Sequence, residues 1–265
     1  MLPVYKVTSF IKVLEKGGRT KPWVVTVDAE GEIRQFVIKF FDADREDSRG
    51  GVVNEVLGYV LAKQFDLPMP QAALVECDPF FIQMAPPELI EWYESKDERI
   101  KFGTELVNGS ILYDPSVSRA FISHRIEEAD TIFAFDNLIR NRDRNFFKPN
   151  LLIHSENCWL IDHELGFEKL ENGKADLERH QLDSAFTNTH IFYKYLKNTP
   201  KNIKNNYFDT FSEYLNHLNV KELDGYMQQL SMHHFTINQN LIRNYLTEAK
   251  RNASAFVANL KASIQ

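Results

Sequence analysis

The predicted strands of this chain come before most of its predicted helices, and that order limits the folds open to it. Residues 23–28 (WVVTVD) and 33–40 (IRQFVIKF) are rich in β-branched and aromatic residues, as is typical of strands. The turn at 29–32 suits a hairpin between them. Two more strands are predicted at 71–76 and 102–107, and apolar residues at helical spacing predict a helix over 52–65.

Helices dominate the predictions for the rest of the chain. A surface helix is predicted at 87–98, a long amphipathic helix at 125–140, and a buried hairpin at 150–153 and 158–161. Near the C-terminus one helix with a single buried stripe is predicted from Ile242, Leu246, Ala249, Ala253, Phe256 and Leu260. Strands and helices do not alternate as in βαβ units, so we predict an α+β fold, divided at residues 1–107 and 108–265.

Composition narrows the function classes. The 265 residues carry a formal net charge of −6, which gives no general attraction to nucleic acid or to an anionic membrane. Cys77 and Cys158 have no metal-ligand spacing and cannot form a disulfide framework. No apolar run approaches the length of a membrane span. We therefore expect a soluble cytoplasmic protein, with neither nucleic acid nor a membrane as partner.

Five residues, in chain order, fit the needs of phosphoryl transfer from a nucleotide, which requires a cation for phosphate, oxygen ligands for Mg²⁺ and a carboxylate for the attacking hydroxyl. Lys39 ends an apolar strand, and Glu55 lies in the apolar stretch of the next helix, where a lysine partner would justify it. Asp143 ends a long helix, Asn150 precedes an apolar strand, and Asp162 follows one.

Each candidate also has a purely structural interpretation. Lys39 could extend to water from a strand edge, and Glu55 could be an exposed helix carboxylate. Asp143, Asn150 and Asp162 could cap helices or form turns. The hypothesis of phosphoryl transfer therefore depends on all five occurring together in this order.

Two further features of the sequence concern binding of the nucleotide. Gly17 and Gly18 lie between strand-like segments, where backbone N–H groups could bind phosphate, although an ordinary hairpin loop fits equally well. Glu105 and Val107 end the last strand before the helical part, the position at which kinases bind adenine through the backbone of a hinge.

Several short segments of the chain together resemble the HipA-like kinase family, which is related to the HipA toxin kinases and, more distantly, to phosphatidylinositol kinases. The resemblance extends to about Phe167 and is carried by residues 54–57 (NEVL), 67–70 (LPMP), 102–106 (FGTEL), 135–144 (FDNLIRNRDR), 149–152 (PNLL) and 160–163 (LIDH). It implies a protein-kinase-like, two-lobed fold with a β-rich N-terminal lobe, ATP and Mg²⁺ as cofactors, and phosphorylation of a hydroxyl, often a protein serine or threonine. It also implies that Lys39 and Glu55 pair, that Asp143 orients the acceptor, and that Asn150 and Asp162 hold magnesium.

One position departs from the kinase pattern. Kinases place the metal-binding asparagine five positions after the catalytic aspartate, and here that position is Lys148. The glycine loop also lacks its full Gly-x-Gly-x-x-Gly form. Two alternatives therefore remain: an impaired nucleotide-binding pseudokinase that binds a partner and, less favoured, a kinase for a small molecule or a lipid.

Overall fold

The computed structural model describes residues 1–14, 20–83, 85–116, 122, 126, 128–154 and 157–265. The chain forms two compact units, each assembled from three stretches of sequence. Unit 1 consists of Met1–Val56, Pro70–Asn108 and Gly225–Ile237, and unit 2 of Leu57–Met69, Gly109–Asp224 and Asn238–Gln265. The strands concentrate toward the N-terminus and the helices toward the C-terminus, which confirms the predicted α+β class.

The described residues of unit 1 contain five strands: β1 (Val4–Val13), β2 (Trp23–Ala29), β3 (Glu32–Ile38), β4 (Ala72–Glu76) and β5 (Lys101–Glu105). They form one sheet that closes on itself in the order β1-β2-β3-β5-β4. β1 pairs with β4 in parallel, and the other neighbours are antiparallel. The closed sheet encloses an apolar core.

The predicted hairpin is confirmed. β2 and β3 pair from Trp23 opposite Ile38 to Ala29 opposite Glu32, which leaves Glu30 and Gly31 as a two-residue turn. Both turn residues have positive φ, 58° and 91°, as a type I′ turn requires. β3 ends two residues earlier than predicted, and the two phenylalanines that follow Lys39 are buried outside the ladder.

Trp23 is the centre of the core of unit 1. It is fully buried, and its ring centroid lies 4.8 Å from that of Phe40 and 5.7 Å from that of Trp92. Burial of an apolar side chain of this size contributes about 1.5–3 kcal/mol or more. The aromatic residues of the N-terminal part therefore stabilise the sheet that carries Lys39.

Before Asn108 the structure describes four helices besides these strands: α1 (Ala43–Arg49), α2 (Gly51–Gln64), α3 (Pro79–Ile82) and α4 (Pro87–Glu94). The predicted helix at 52–65 is confirmed as α2. The buried Glu46 carboxylate accepts hydrogen bonds from Val52 N at 3.0 and 3.1 Å, and burial raises the pKa of Glu46 to about 7. The helix predicted to reach residue 98 ends at Glu94, and beyond it Asp97 N donates to Phe41 O at 2.9 Å.

The chain after Asn108 contains a small antiparallel sheet and, in its described residues, mostly helices. The sheet consists of β6 (Ile111–Leu112), β7 (Leu151–His154) and β8 (Asn157–Leu160), and β7 and β8 confirm the predicted hairpin. The helices are α5 (Ala129–Leu138), α6 (Leu170–Glu178), α7 (Ser184–Thr187), α8 (Tyr193–Lys197), α9 (Lys201–Lys204), α10 (Asp209–His217), α11 (Leu223–Met232), α12 (Gln239–Arg251) and α13 (Ala253–Ser263).

Two predictions about these helices were wrong in detail. The long amphipathic helix is the shorter α5, and all of its residues except Asp130 are buried, because unit 2 covers it on several sides. Its Phe135 packs against Phe65, and its Phe133 against Phe208. The single C-terminal helix is two helices, α12 and α13, joined at Asn252, although all six residues of the predicted stripe are buried.

No helix in the described part of the chain is both long enough and apolar enough to span a membrane.

Candidate active site

The candidate site of unit 2 is built on the loop that follows α5. The helix ends at Leu138, and Arg140, with φ of 55°, takes the chain out of the helical conformation. Asn141 N donates to Asp136 O at 2.9 Å, and Asn141 Oδ1 accepts from Asp143 N at 3.2 Å. The end of a buried helix thereby fixes the backbone that carries Asp143.

Asp143 is buried but has a cation beside it. Its Oδ2 accepts a hydrogen bond of 3.0 Å from Lys148 Nζ, and the Lys148 side chain is 55% exposed. Burial raises the pKa of Asp143, the negative charge of Asp162 raises it further, and hydrogen bonds from Lys148 and Asn150 partly offset both. A carboxylate with a raised pKa inside a polar site is suited to accept a proton.

Three carboxylates meet at this loop. Oxygen atoms of Asp143, Asp162 and Glu164 lie within 4.8 Å of one another, and Asp143 and Glu164 are buried. Close carboxylates repel unless a proton or a cation intervenes, and oxygen ligands of this kind suit Mg²⁺. The donor set therefore fits a divalent cation.

Asn150 lies beside these carboxylates. Its Nδ2 donates to Asp143 O at 3.3 Å, and its own carbonyl accepts from Ile161 N at 3.2 Å, next to Asp162. Asn150 and Asp162 both have positive φ, 50° and 64°, which asparagine and aspartate tolerate better than other side chains. An asparagine amide oxygen is a further ligand type for Mg²⁺.

Arg144 joins the two segments that carry the candidate ligands. Its side chain is fully buried and donates through Nη1 to the carbonyls of Asn150 and, at 3.4 Å, of Ile161. Its Nε lies 2.5 Å from Asp136 Oδ2, and its Nη2 lies 3.1 Å from His163 Nε2. One side chain thus holds the loop of Asn150 and the loop of Asp162 at fixed positions.

The charge of Arg144 is balanced by Asp136. The Asp136 carboxylate is completely buried and also contacts His190 Nε2 at 3.0 Å. Burial alone would raise the pKa of Asp136, but Arg144 and His190 outweigh it and hold the pKa well below its usual range. Burial lowers the pKa of His190, which favours a neutral ring.

The predicted Lys39–Glu55 contact is present in unit 1. Lys39 directly follows β3, and its Nζ hydrogen-bonds to Glu55 Oε1 on α2. The Glu55 side chain is 1% exposed and the Lys39 side chain 15%. The pair is thus largely desolvated, and its hydrogen bond is of the charge-assisted kind, which is stronger than a bond between neutral groups.

The remaining predicted residues are placed as follows. Glu105 is the last residue of β5, with its N–H bonded to Gln71 O at 2.8 Å, and Val107 follows in the next loop. Both are partly buried. Gly17 and Gly18 lie outside the described residues. The roles given to all these residues stay predictions.

Sequence reasoning missed three residues of the site. Glu164 lies two positions after Asp162 in a loop, where no periodicity marks it. The sequence marks Arg144 only as part of the segment 135–144, and Lys148 only as the residue at the usual position of the metal-binding asparagine. The available signal was Arg144 itself, because a charged side chain between a predicted helix and a predicted buried strand needs a counterion if it is buried.

Comparisons with known proteins give a family and a similar fold for this chain. A protein-family model described as HipA-like kinase matches residues 7–221, which is most of the chain. The crystal structure of the Helicobacter pylori proinflammatory kinase CtkA resembles this chain with a TM-score of 0.52 and 13% sequence identity, covering 97% of this chain and 96% of that one. At that identity the likeness shows a shared fold only. No curated protein sequence matches this chain significantly.

Proposed function

This chain belongs to the HipA-like kinase family, and from that premise we propose that it transfers the γ-phosphoryl group of ATP to a serine or threonine hydroxyl of a protein. The observation that carries the proposal is the group of three close carboxylates at Asp143, Asp162 and Glu164, two of them buried, with Asn150 beside them. A donor set of this kind suits a nucleotide-bound Mg²⁺ and a hydroxyl nucleophile.

Each residue of unit 2 has a distinct role in this proposal. Asp162, Asn150 and Glu164 would hold Mg²⁺, which when bound would neutralise charge on the phosphates. Asp143 orients the acceptor hydroxyl and takes its proton. The acceptor oxygen forms a bond to the γ-phosphorus, the bond from that phosphorus to the bridging oxygen breaks, and ADP leaves. Arg144 keeps the two loops in register.

The residues of unit 1 would bind the nucleotide. Lys39, oriented by Glu55, would contact phosphate oxygens, and the backbone of Glu105 and Val107 would contact adenine. Gly17 and Gly18 would add N–H groups to the phosphate contacts. The proposal includes a two-lobed arrangement divided near Val107, with residues 1–107 and 108–265 as the lobes.

One observation favours a second candidate, a nucleotide-binding pseudokinase that acts by binding a partner. Lys148 Nζ donates a hydrogen bond of 3.0 Å to Asp143 Oδ2, the carboxylate that the acceptor hydroxyl would have to contact. In an active kinase Lys148 moves aside or contacts the transferred group, whereas in a pseudokinase it stays. A cellular effect that survives Asp143→Asn would support the pseudokinase.

The proposal is tested by thermal unfolding with and without Mg·ATP, on the wild type and on Asp162→Asn. A ligand that binds only the folded state stabilises it, by about 2.7 kcal/mol at a hundredfold excess over the dissociation constant. We expect a magnesium-dependent rise in Tm that Asp162→Asn abolishes. The matched control is Asp209→Asn, at a carboxylate that is 60% exposed.

Two outcomes would count against the proposed kinase. A Tm that is insensitive to Mg·ATP at every soluble concentration contradicts nucleotide binding, and with it both candidates. A magnesium-dependent shift in Tm without phosphate transfer to any protein favours the pseudokinase.

A further inference from the structure

The loop between Asp143 and Asn150 is longer than kinases usually have. Asn150 follows Asp143 by 150 − 143 = 7 positions, whereas the usual spacing is about five. With Asn150 as the proposed metal ligand, the loop holds two more residues than the usual kinase spacing. Its middle contains two consecutive phenylalanines, Phe146 and Phe147.

These phenylalanines are not packed into a core. Phe146 is 59% exposed and Phe147 is 91% exposed, and their ring centroids lie 5.6 Å apart in an edge-to-face arrangement. Isolated exposed apolar residues are ordinary on protein surfaces, but two adjacent aromatic rings form a contiguous apolar surface. We call Phe146 and Phe147 together the aromatic tip.

The conformation of the loop does not depend on burial of the tip. Asn145 N donates to Lys148 O at 2.9 Å, and Asn145 Oδ1 accepts from Phe147 N at 3.0 Å and from Lys148 N at 3.2 Å. Asn145 is also held in a β-bridge with His190, a residue of the buried network behind the loop. The loop is closed at its base by polar contacts, which leave both rings in solvent.

The tip lies close to the group proposed to receive the proton of the acceptor. Lys148, the next residue after Phe147, reaches Asp143 Oδ2 at 3.0 Å. Phe147 is four positions from Asp143, so the two backbones are at most about 13 Å apart. A substrate chain in an extended conformation rises about 3.3 Å per residue and covers that distance in four residues. A polypeptide whose hydroxyl is at Asp143 would therefore have residues within about four positions of that hydroxyl near the tip.

We propose that the aromatic tip is a substrate-recognition element, which binds a large apolar side chain within about four positions of the acceptor serine or threonine. This inference rests on the proposed function and adds the substrate class. Burial of two aromatic rings against an apolar side chain supplies binding energy that a polar flanking residue cannot supply. The tip thus selects among protein substrates.

Charge favours a polypeptide over a membrane surface as the occupant. Contact with an anionic lipid surface is strengthened by unpaired basic residues, each worth about 1 kcal/mol. Both cations of this loop are paired, Lys148 with Asp143 and the buried Arg144 with Asp136, and the chain has a formal net charge of −6. An apolar contact with a peptide needs no excess positive charge.

The test is a peptide library with one fixed serine or threonine and varied flanking positions, phosphorylated by the wild type, Phe147→Ser and Phe147→Leu. We expect the wild type to prefer Leu, Ile, Met or Phe within about four positions of the acceptor. For such peptides Phe147→Ser lowers kcat/KM about tenfold, mainly through KM, and Phe147→Leu restores much of it. The KM for ATP and the Tm stay unchanged, as they do in the control Phe80→Ser, at a residue that is 75% exposed in unit 1.

Several results would overturn the inference. One is a library profile without apolar preference, and another is an equal fall in kcat/KM for peptides with only polar flanks. A third is binding to phosphatidylserine vesicles that Phe147→Ser abolishes while the peptide profile is unchanged, which would make the tip a membrane contact. If the wild type turns over ATP but phosphorylates no peptide, the protein substrate is rejected and a kinase with another substrate remains. If Mg·ATP does not raise the Tm of the wild type, the proposed function is rejected as well.

Discussion

Asp136 lies near the end of α5, and Asp143 lies seven residues later in the loop that follows. Each aspartate has a cationic partner, and the two partners differ in whether they are buried or exposed to water. Both are buried, at 0% and 6% exposure. Asp136 lies between Arg144 and His190, both of which are also buried, and its pKa is held well below the usual range. Asp143 faces Lys148, which is 55% exposed, and the carboxylate of Asp162, and burial raises its pKa.

The comparison separates a carboxylate with a buried counterion from one whose counterion reaches water, as the proposed role of Asp143 requires. A cation that is desolvated together with its partner cannot leave without a large free-energy cost, so Asp136 stays ionised and paired. A cation that keeps its contact with water can be displaced by a substrate, so Asp143 can exchange its partner.

The largest expected effect comes from breaking the buried pair. Asp136→Asn leaves the Arg144 charge buried without its counterion, and removal of one partner of a buried pair costs about 3–5 kcal/mol. We expect the free energy of unfolding, measured by urea titration, to fall by that amount.

The matched control for this variant is Asp143→Asn, which removes a carboxylate from the same loop. Because Lys148 regains water when its partner is neutralised, the free energy of unfolding should change by only about 1 kcal/mol or less. Equal losses in the two variants would show that the location of the cation does not distinguish the two aspartates.

The sequence predicted the proposed catalytic and metal-binding residues better than the residues that hold them in place. Asp143, Asn150 and Asp162 were predicted as a group because each follows or precedes a recognisable helix or strand, and they lie together in unit 2. The support of Asp136 by His190 was not predicted, because the partner lies 54 positions away in a loop without periodicity.

The fold shows the same division between local and distant information. The β2–β3 hairpin was predicted from its turn and its β-branched strands, which are local features. The parallel pairing of β1 with β4, which closes the sheet, was not predicted, because the paired residues lie 74 − 4 = 70 positions apart and neither segment indicates its neighbour. Helix ends were predicted less well than helices, since tertiary contacts decide where α4 and α5 stop.

The second prediction concerns pH. The pKa of Asp136 is lower in the folded chain than in the unfolded chain, so its stabilising contribution is present above about pH 3.9, the unfolded value, and is lost as the pH falls toward the folded value. Asp143 has a raised pKa, and its contribution is lost as the pH rises through the folded value. In metal-free buffer the free energy of unfolding should therefore rise less steeply between about pH 3 and pH 5 in Asp136→Asn than in the wild type, and more steeply in Asp143→Asn.

These opposite changes in slope can be measured by urea titration at half-unit steps of pH, each variant against the wild type. A single group changes the slope by at most about 1.4 kcal/mol per pH unit. A change of the same sign in both variants would contradict the assignment of opposite pKa shifts to the two aspartates.

The smallest expected effect comes from Lys148→Met, which removes the exposed cation and keeps the length of the side chain. Exposed ion pairs contribute about 0–1 kcal/mol, so the free energy of unfolding should fall by no more than that. In the double variant with Asp143→Asn the effect of Lys148→Met should nearly vanish, because its partner is already neutral. A loss of 3 kcal/mol or more, comparable to that of Asp136→Asn, would mean that Lys148 is a fixed part of the loop, and a substrate hydroxyl could not then displace it from Asp143.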